Sequence, residues 1–98
     1  MKLGKIVGTV VATQKNEGLV GAKLLVVQDL KMDLSEGIGS VVCVDSVGAG
    51  VGDVVLYVSG SSARLTDISK DRPVDATVVA IVDTVEVGDQ VVFSKGAS

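Results

Sequence analysis

The sequence predicts an all-β protein, one domain over residues 1–98 that closes into a small barrel. Three observations carry that expectation. Valine occupies 22 positions, and its β-branched side chain packs well on a pleated strand while crowding the preceding turn of a helix. Apolar residues make up 47% of the chain, yet the longest unbroken apolar runs are the five residues Val54–Val58 and Val78–Val82. These are strand lengths, far short of the roughly 20 residues that a membrane-crossing helix needs. Glycine, aspartate and asparagine punctuate the chain at the spacing of short barrel strands.

Six extended pieces follow from this punctuation. The first, Lys2–Thr13, opens with two lysines and an apolar segment that faintly imitate a secretory signal. Lys5, Gly8 and Thr9 interrupt that segment, so a strand is the better reading. Lys23–Leu30 is the second piece, and the polar stretch Lys31–Gly39 after it reads as an exposed loop. Ser40–Val47 and Asp53–Ser59 flank a glycine-rich turn. One helical turn fits at Ser61–Thr66, with Ser61 or Ser62 as its cap. Asp67–Arg72 is a second exposed loop ahead of Pro73, the only proline. Ala76–Val85 and Gln90–Lys95 complete the set.

An internal echo runs through the second half. Asp45-Ser46-Val47 leads through Val51-Gly52-Asp53 into Val54-Val55-Leu56-Tyr57, and Asp83-Thr84-Val85 leads through Val87-Gly88-Asp89 into Gln90-Val91-Val92-Phe93. The only two aromatic residues fall at matching places. Either a duplication or two hairpins that reuse one turn chemistry accounts for the match.

Periodicity then points to assembly. A barrel strand with one wet face alternates apolar and polar residues. Val41-Val42-Cys43-Val44 and Val78-Val79-Ala80-Ile81-Val82 are apolar on both faces. A barrel this small holds one core, so the second face is expected to be covered by neighbouring subunits. Each valine buried in that way contributes about 1.5 kcal/mol. Asp45 and Asp83 end the two apolar runs, either as partners across such an interface or as solvated strand ends.

Catalytic chemistry is not encoded in any recognisable form. There is no histidine, which removes Ser-His-Asp and Cys-His nucleophiles and the usual zinc sites. Gly48-Ala49-Gly50-Val51-Gly52 resembles a phosphate loop, but Asp53 stands where the dinucleotide fingerprint has glycine, and a strand follows in place of a helix. Gly60-Ser61-Ser62-Ala63-Arg64 lacks the second glycine of a nucleophile elbow and a base for either serine. Asp67, Asp71 and Asp75 do not match a calcium loop. Cys43 lies within a valine run, where a thiol behaves as a small hydrophobe. No cofactor or metal is expected.

Charge and cysteine use bound the partners. A net charge of −3 argues against nucleic acid, since phosphate binding needs clustered lysine and arginine. A single-strand binding module also needs stacking aromatics, and this chain has only Tyr57 and Phe93. The lone cysteine offers no disulfide framework, consistent with a reducing, cytoplasmic setting and no membrane partner.

A closed ring gives Gly60–Arg64 a role. Small residues at Gly60, Ser61 and Ser62 let several backbones approach one axis, and Arg64 can reach a carboxylate on the next subunit, with Asp75 as the candidate. The plainer reading is a helix cap beside a surface arginine.

Six blocks together carry a resemblance: Gly8-Thr9-Val10-Val11-Ala12-Thr13-Gln14-Lys15, Gly21 through Lys23-Leu24-Leu25, Val44-Asp45-Ser46-Val47-Gly48-Ala49-Gly50, Gly60-Ser61-Ser62-Ala63-Arg64, Pro73-Val74-Asp75-Ala76 and Ile81-Val82-Asp83. In that order they resemble the EutN/CcmL family, the vertex proteins of bacterial microcompartments and carboxysomes. The resemblance implies a five-stranded barrel of oligonucleotide-binding-like (OB-like) topology that forms a homopentamer. It implies a structural role without catalytic residues, capping the vertices of a polyhedral shell otherwise tiled by hexagonal proteins. It also allows that the fifth and sixth pieces are one barrel strand plus a C-terminal extension. The alternative is a small OB-like oligomeric module that binds nucleic acid or another ligand.

Overall fold

Five strands close on one another in a computed structural model that describes residues 1–70 and 73–96. They are β1 (Lys2–Val10), β2 (Leu24–Leu30), β3 (Glu36–Asp45), β4 (Val54–Ser59) and β5 (Ala76–Ile81), arranged β1-β2-β3-β5-β4 with β4 returning to β1. All neighbours are antiparallel except β3 and β5, which run parallel through Val44↔Thr77 and Asp45↔Val78. This is the OB-like order. A second sheet of two strands, β6 (Thr84–Val87) and β7 (Gln90–Ser94), stands apart from the barrel. Single 3₁₀ turns occupy Glu17–Leu19 and Gly60–Arg64.

The core follows from strand alternation. Ile6, Leu25, Val27, Cys43, Val55, Tyr57 and Val78 point inward and form one buried cluster with Ala49 and Ala76. At Gly4, β1 leaves no room for a side chain beside that cluster. A Cβ there would lie 2.4 Å from Val27 Cγ1 and 3.0 Å from the Gln28 carbonyl oxygen. Tyr57 satisfies its hydroxyl at the barrel end by donating to Asp29.

Four local expectations are corrected. The Lys31–Gly39 segment is a tight turn only as far as Ser35, and β3 already begins at Glu36. Its polar start is held by hydrogen bonds: the Gln28 amide donates to the carbonyls of Gly39 (2.8 Å) and Gly37 (3.2 Å), which lie in a bulge of β3. Ala76–Val85 divides into β5 and β6 because its partner runs out. Val82 N donates to Val54 O (2.8 Å), and β4 begins at Val54.

The Val-Gly-Asp echo marks one hairpin, not two. Gly88 turns β6 into β7 with φ 61, whereas Gly52, φ 96, ends a crossing from β3 to β4, which β5 separates in the barrel. That crossing is fastened to β1 by Gly52 N to Ile6 O (2.8 Å) and Ile6 N to Asp53 O (2.9 Å). Neither Ser61 nor Ser62 caps the 3₁₀ turn. Both lie inside it, the cap position is Ser59, and no side chain bonds there. Asp71 and Arg72 of the second loop, and Ala97 and Ser98 at the C-terminus, lie outside the described residues.

Candidate assembly surface and axial turn

The outer face of the barrel is covered on one side and bare on another. Over β4 and β5 the Gly60–Arg64 turn lies against the sheet, with Ala63 fully buried. Thr77 points outward from β5, is itself fully buried, and donates its hydroxyl to Ala63 O at 2.5 Å. Over β1, β2 and β3 no element of the described chain plays this part. Val26 and Val42 face each other across β2 and β3, and Val7 sits beside them at the β1 bulge. Val7 remains 50% exposed and Val42 48%. Of the two runs expected to be apolar on both faces, the β3 run leaves Val42 exposed on its outer side, whereas Val79–Val82 is half-buried.

A second apolar patch flanks the turn. Leu65 is 83% exposed and Ile68 44%. The loop beneath them is braced internally: the Thr66 and Ser69 hydroxyls share a hydrogen bond of 2.6 Å, Ser69 N donates to Thr66 Oγ1 (3.0 Å), and Ser69 is fully buried.

The turn itself starts from a left-handed glycine. Gly60 adopts φ 70, a left-handed conformation that side chains disfavour, and its N–H donates to Asp75 O at 2.8 Å. This bond ties the start of the turn to the entry of β5. Ser61, Ser62 and Arg64 are all exposed, and Leu65 N closes the turn on Ser62 O (3.2 Å). Asp75 is exposed as well, and among the described residues Arg64 and Asp75 do not form an ion pair within the chain.

Asp45 and Asp83 differ in kind. Asp45 is only 8% exposed, and its Oδ1 accepts from Val47 N (3.0 Å) and Gly48 N (3.2 Å). Its Oδ2 lies 3.8 Å from Lys23 Nζ, which donates to Ala49 O at 2.6 Å. The carboxylate thus shapes its own turn, a role its position at the end of an apolar run did not disclose. Asp83 is exposed where the chain leaves the barrel, and its carbonyl accepts from Lys95 N (2.7 Å).

The buried titratable groups are suited to packing. Burial pushes the Cys43 thiol up to about 12, with Asp75 and Asp29 adding to the shift. Burial likewise raises Tyr57, followed by its bond to Asp29. Among the described residues no three histidine, cysteine or acidic side chains cluster as metal ligands.

The comparisons with known proteins agree with this architecture. The family model described as "Ethanolamine utilisation protein EutN/carboxysome" matches residues 1–83. The chain is 52% identical over 86 residues to the microcompartment shell vertex protein GrpN of Rhodospirillum rubrum, covering 88% of this chain and 97% of GrpN. The solved structure of GrpN, a pentameric microcompartment shell protein, superposes with a TM-score of 0.80 at 51% identity, over 90% of this chain and 99% of that one. The structure of Gloeobacter violaceus CcmL superposes with a TM-score of 0.94 at 40% identity, over 99% of this chain and all of that one. With its OB-like barrel, its bare outer valines and a family match over most of its length, the chain belongs to the EutN/CcmL family of shell vertex proteins.

Proposed function

We infer that this chain is a structural subunit, not an enzyme, that forms homopentamers capping the vertices of a polyhedral bacterial microcompartment. The observation that carries the reading is the apolar stripe of exposed Val7 and Val42 beside half-buried Val26, on a chain whose relatives are named as shell vertex proteins. A ring whose subunits meet through two different patches needs both on every copy. The β1–β3 stripe and the Leu65–Ile68 patch supply such a pair. Covering the wet half of one valine contributes about 0.8 kcal/mol, so a few per contact hold the ring. A flat layer of hexagonal tiles cannot close without five-fold points, and the ring meets the hexagonal shell proteins there.

Within the ring, Gly60, Ser61 and Ser62 face the five-fold axis, and Arg64 reaches Asp75 of the neighbouring subunit. Asp83 lies near the same boundary, while Asp45 acts from inside its own subunit by holding the turn at Val47 and Gly48. The shell lies in the cytoplasm, and neither nucleic acid nor a membrane is a partner. The acidic balance supports this, as does the burial of Tyr57, which removes one of two aromatics from any stacking role.

Native mass spectrometry at micromolar concentration tests the reading, together with titration of labelled single-stranded DNA. A pentamer that leaves the DNA unbound is the expected result. A stable monomer, or tight DNA binding, refutes it.

A further inference from the structure

The hairpin of β6 and β7 is the part of the fold that the barrel does not use. The family match stops at residue 83, one residue before β6. The two strands pair only with each other, and among the described residues no backbone hydrogen bond ties either of them to the barrel. The joint is short. Val82 N donates to Val54 O (2.8 Å) as the last bond of the barrel, and Asp83 O accepts from Lys95 N (2.7 Å) as the first bond of the hairpin. Rotation about the backbone of Val82 and Asp83 therefore swings the hairpin as a unit.

Between hairpin and barrel lies an open groove of about 420 Å³. Lys2, Leu3, Leu56 and Met32 form its barrel wall, Val85 and Glu86 its hairpin wall, and Val82 belongs to the joint. The two walls match in chemistry. Apolar side chains line both, and the barrel carries Lys2 where the hairpin carries Glu86. As the structure stands the match is unused: among the described residues the one ion pair is Lys23 with Asp45, and Met32 is 60% exposed.

We propose that the hairpin is a hinged flap that closes on its own barrel, turning about Val82 and Asp83 until Val85 packs over Leu3 and Leu56 and Glu86 pairs with Lys2. Closure takes apolar surface on both walls out of water. The covalent tether holds the flap beside its receptor wall at an effective concentration that a free segment at micromolar levels does not reach. Each wall thus lacks a cover that the other supplies, and no second molecule is needed. The swing is internal to one chain and goes beyond the vertex role. It decides whether the groove is open to its surroundings or shut.

Pulsed electron spin resonance on the full-length chain tests the flap, with nitroxide labels at Ser35→Cys and Gln90→Cys, two exposed and uncharged positions on either side of the swing. Cys43 is fully buried and stays unlabelled. Labelled chains are measured alone and after dilution into an excess of unlabelled ones, where each spin pair lies within one chain. The diluted sample holds two distances, the shorter from the closed flap. Glu86→Lys sets like charges across the groove and lowers the shorter population about fivefold, and adding Lys2→Glu restores it. Both substituted side chains are exposed, so neither change disturbs the core. A distribution that Glu86→Lys leaves unchanged, with one peak or two, overturns the proposal. A shorter distance present only before dilution places the hairpin on a neighbouring chain and also overturns it. Either result leaves the shell reading standing, because that reading is tested by the mass of the ring.

Discussion

Replacing Thr77 by valine isolates one hydrogen bond on which the Gly60–Arg64 turn depends. The Thr77 hydroxyl donates to Ala63 O at 2.5 Å, and both residues are fully buried. Valine keeps the branched shape but removes the donor, leaving a buried carbonyl without a partner. Such a loss costs about 1–3 kcal/mol, and the added methyl recovers part of it, for a net of about 1.5 kcal/mol. For a domain of this size the melting temperature falls by about 6–12 °C. Thermal denaturation is compared at equal ring concentration, because dissociation contributes to apparent stability. Hydrogen exchange at Leu65, whose N–H closes the turn on Ser62 O, accelerates in the same variant. Thr77→Ser keeps the donor and preserves that protection. If Thr77→Val melts within about 1 °C of wild type with unchanged exchange at Leu65, the turn is not held from β5 and the reasoning fails.

The remaining predictions concern the core, the ring and alkaline pH. Gly4→Ala places a Cβ 2.4 Å from a Val27 methyl that is itself fully buried and 3.0 Å from the Gln28 carbonyl, so it costs about 3 kcal/mol or more, seen as lost soluble yield or a lowered denaturation midpoint. Val42→Lys puts a charge in the bare stripe and shifts the native mass from ring to monomer, and an unchanged ring would remove this stripe from the interface. Arg64→Ala weakens the ring on dilution, and the same dissociation curve as wild type would count against its pairing with Asp75. The folded Cys43 thiol keeps its proton up to about pH 12, against 9.0 for an unperturbed thiol. Raising the pH between those values ionises the unfolded state first, so stability present below pH 9 is progressively lost up to about 12. Tyr57, raised above its ordinary 10.0, adds a second loss from there upward. Cys43→Ala flattens the first part of this decline in urea midpoints measured against pH.

Much of the barrel was legible because valine runs and turn residues report local preference. The start of β3 was not, since Glu36–Gly39 is polar and glycine-rich and becomes strand through bonds from Gln28. The end of β5 was equally hidden, because it falls where β4 has no further residue to offer. Of the residues expected at a subunit interface, Asp45 was visible as the end of an apolar run. Its engagement with Val47 and Gly48 depends on how the chain folds back, which alternation alone does not specify. The buried Thr77–Ala63 bond left no signal, as the two residues are remote in the chain and neither type is unusual where it stands.

The sequence by itself determined strand content, the lack of histidine-based chemistry, an apolar excess beyond one core, and the family, since each is a matter of residue type and order. Tertiary structure alone decided the order in which the strands close, that the Gly60–Arg64 turn covers the outward Thr77 while Val7 and Val42 stay bare, and the departure of β6 and β7 from the barrel. Those outcomes rest on pairings between residues far apart in the chain, as in the parallel contact of β3 with β5. Local composition constrains whether a segment is a strand, whereas the neighbour it finds is settled by closure of the whole barrel.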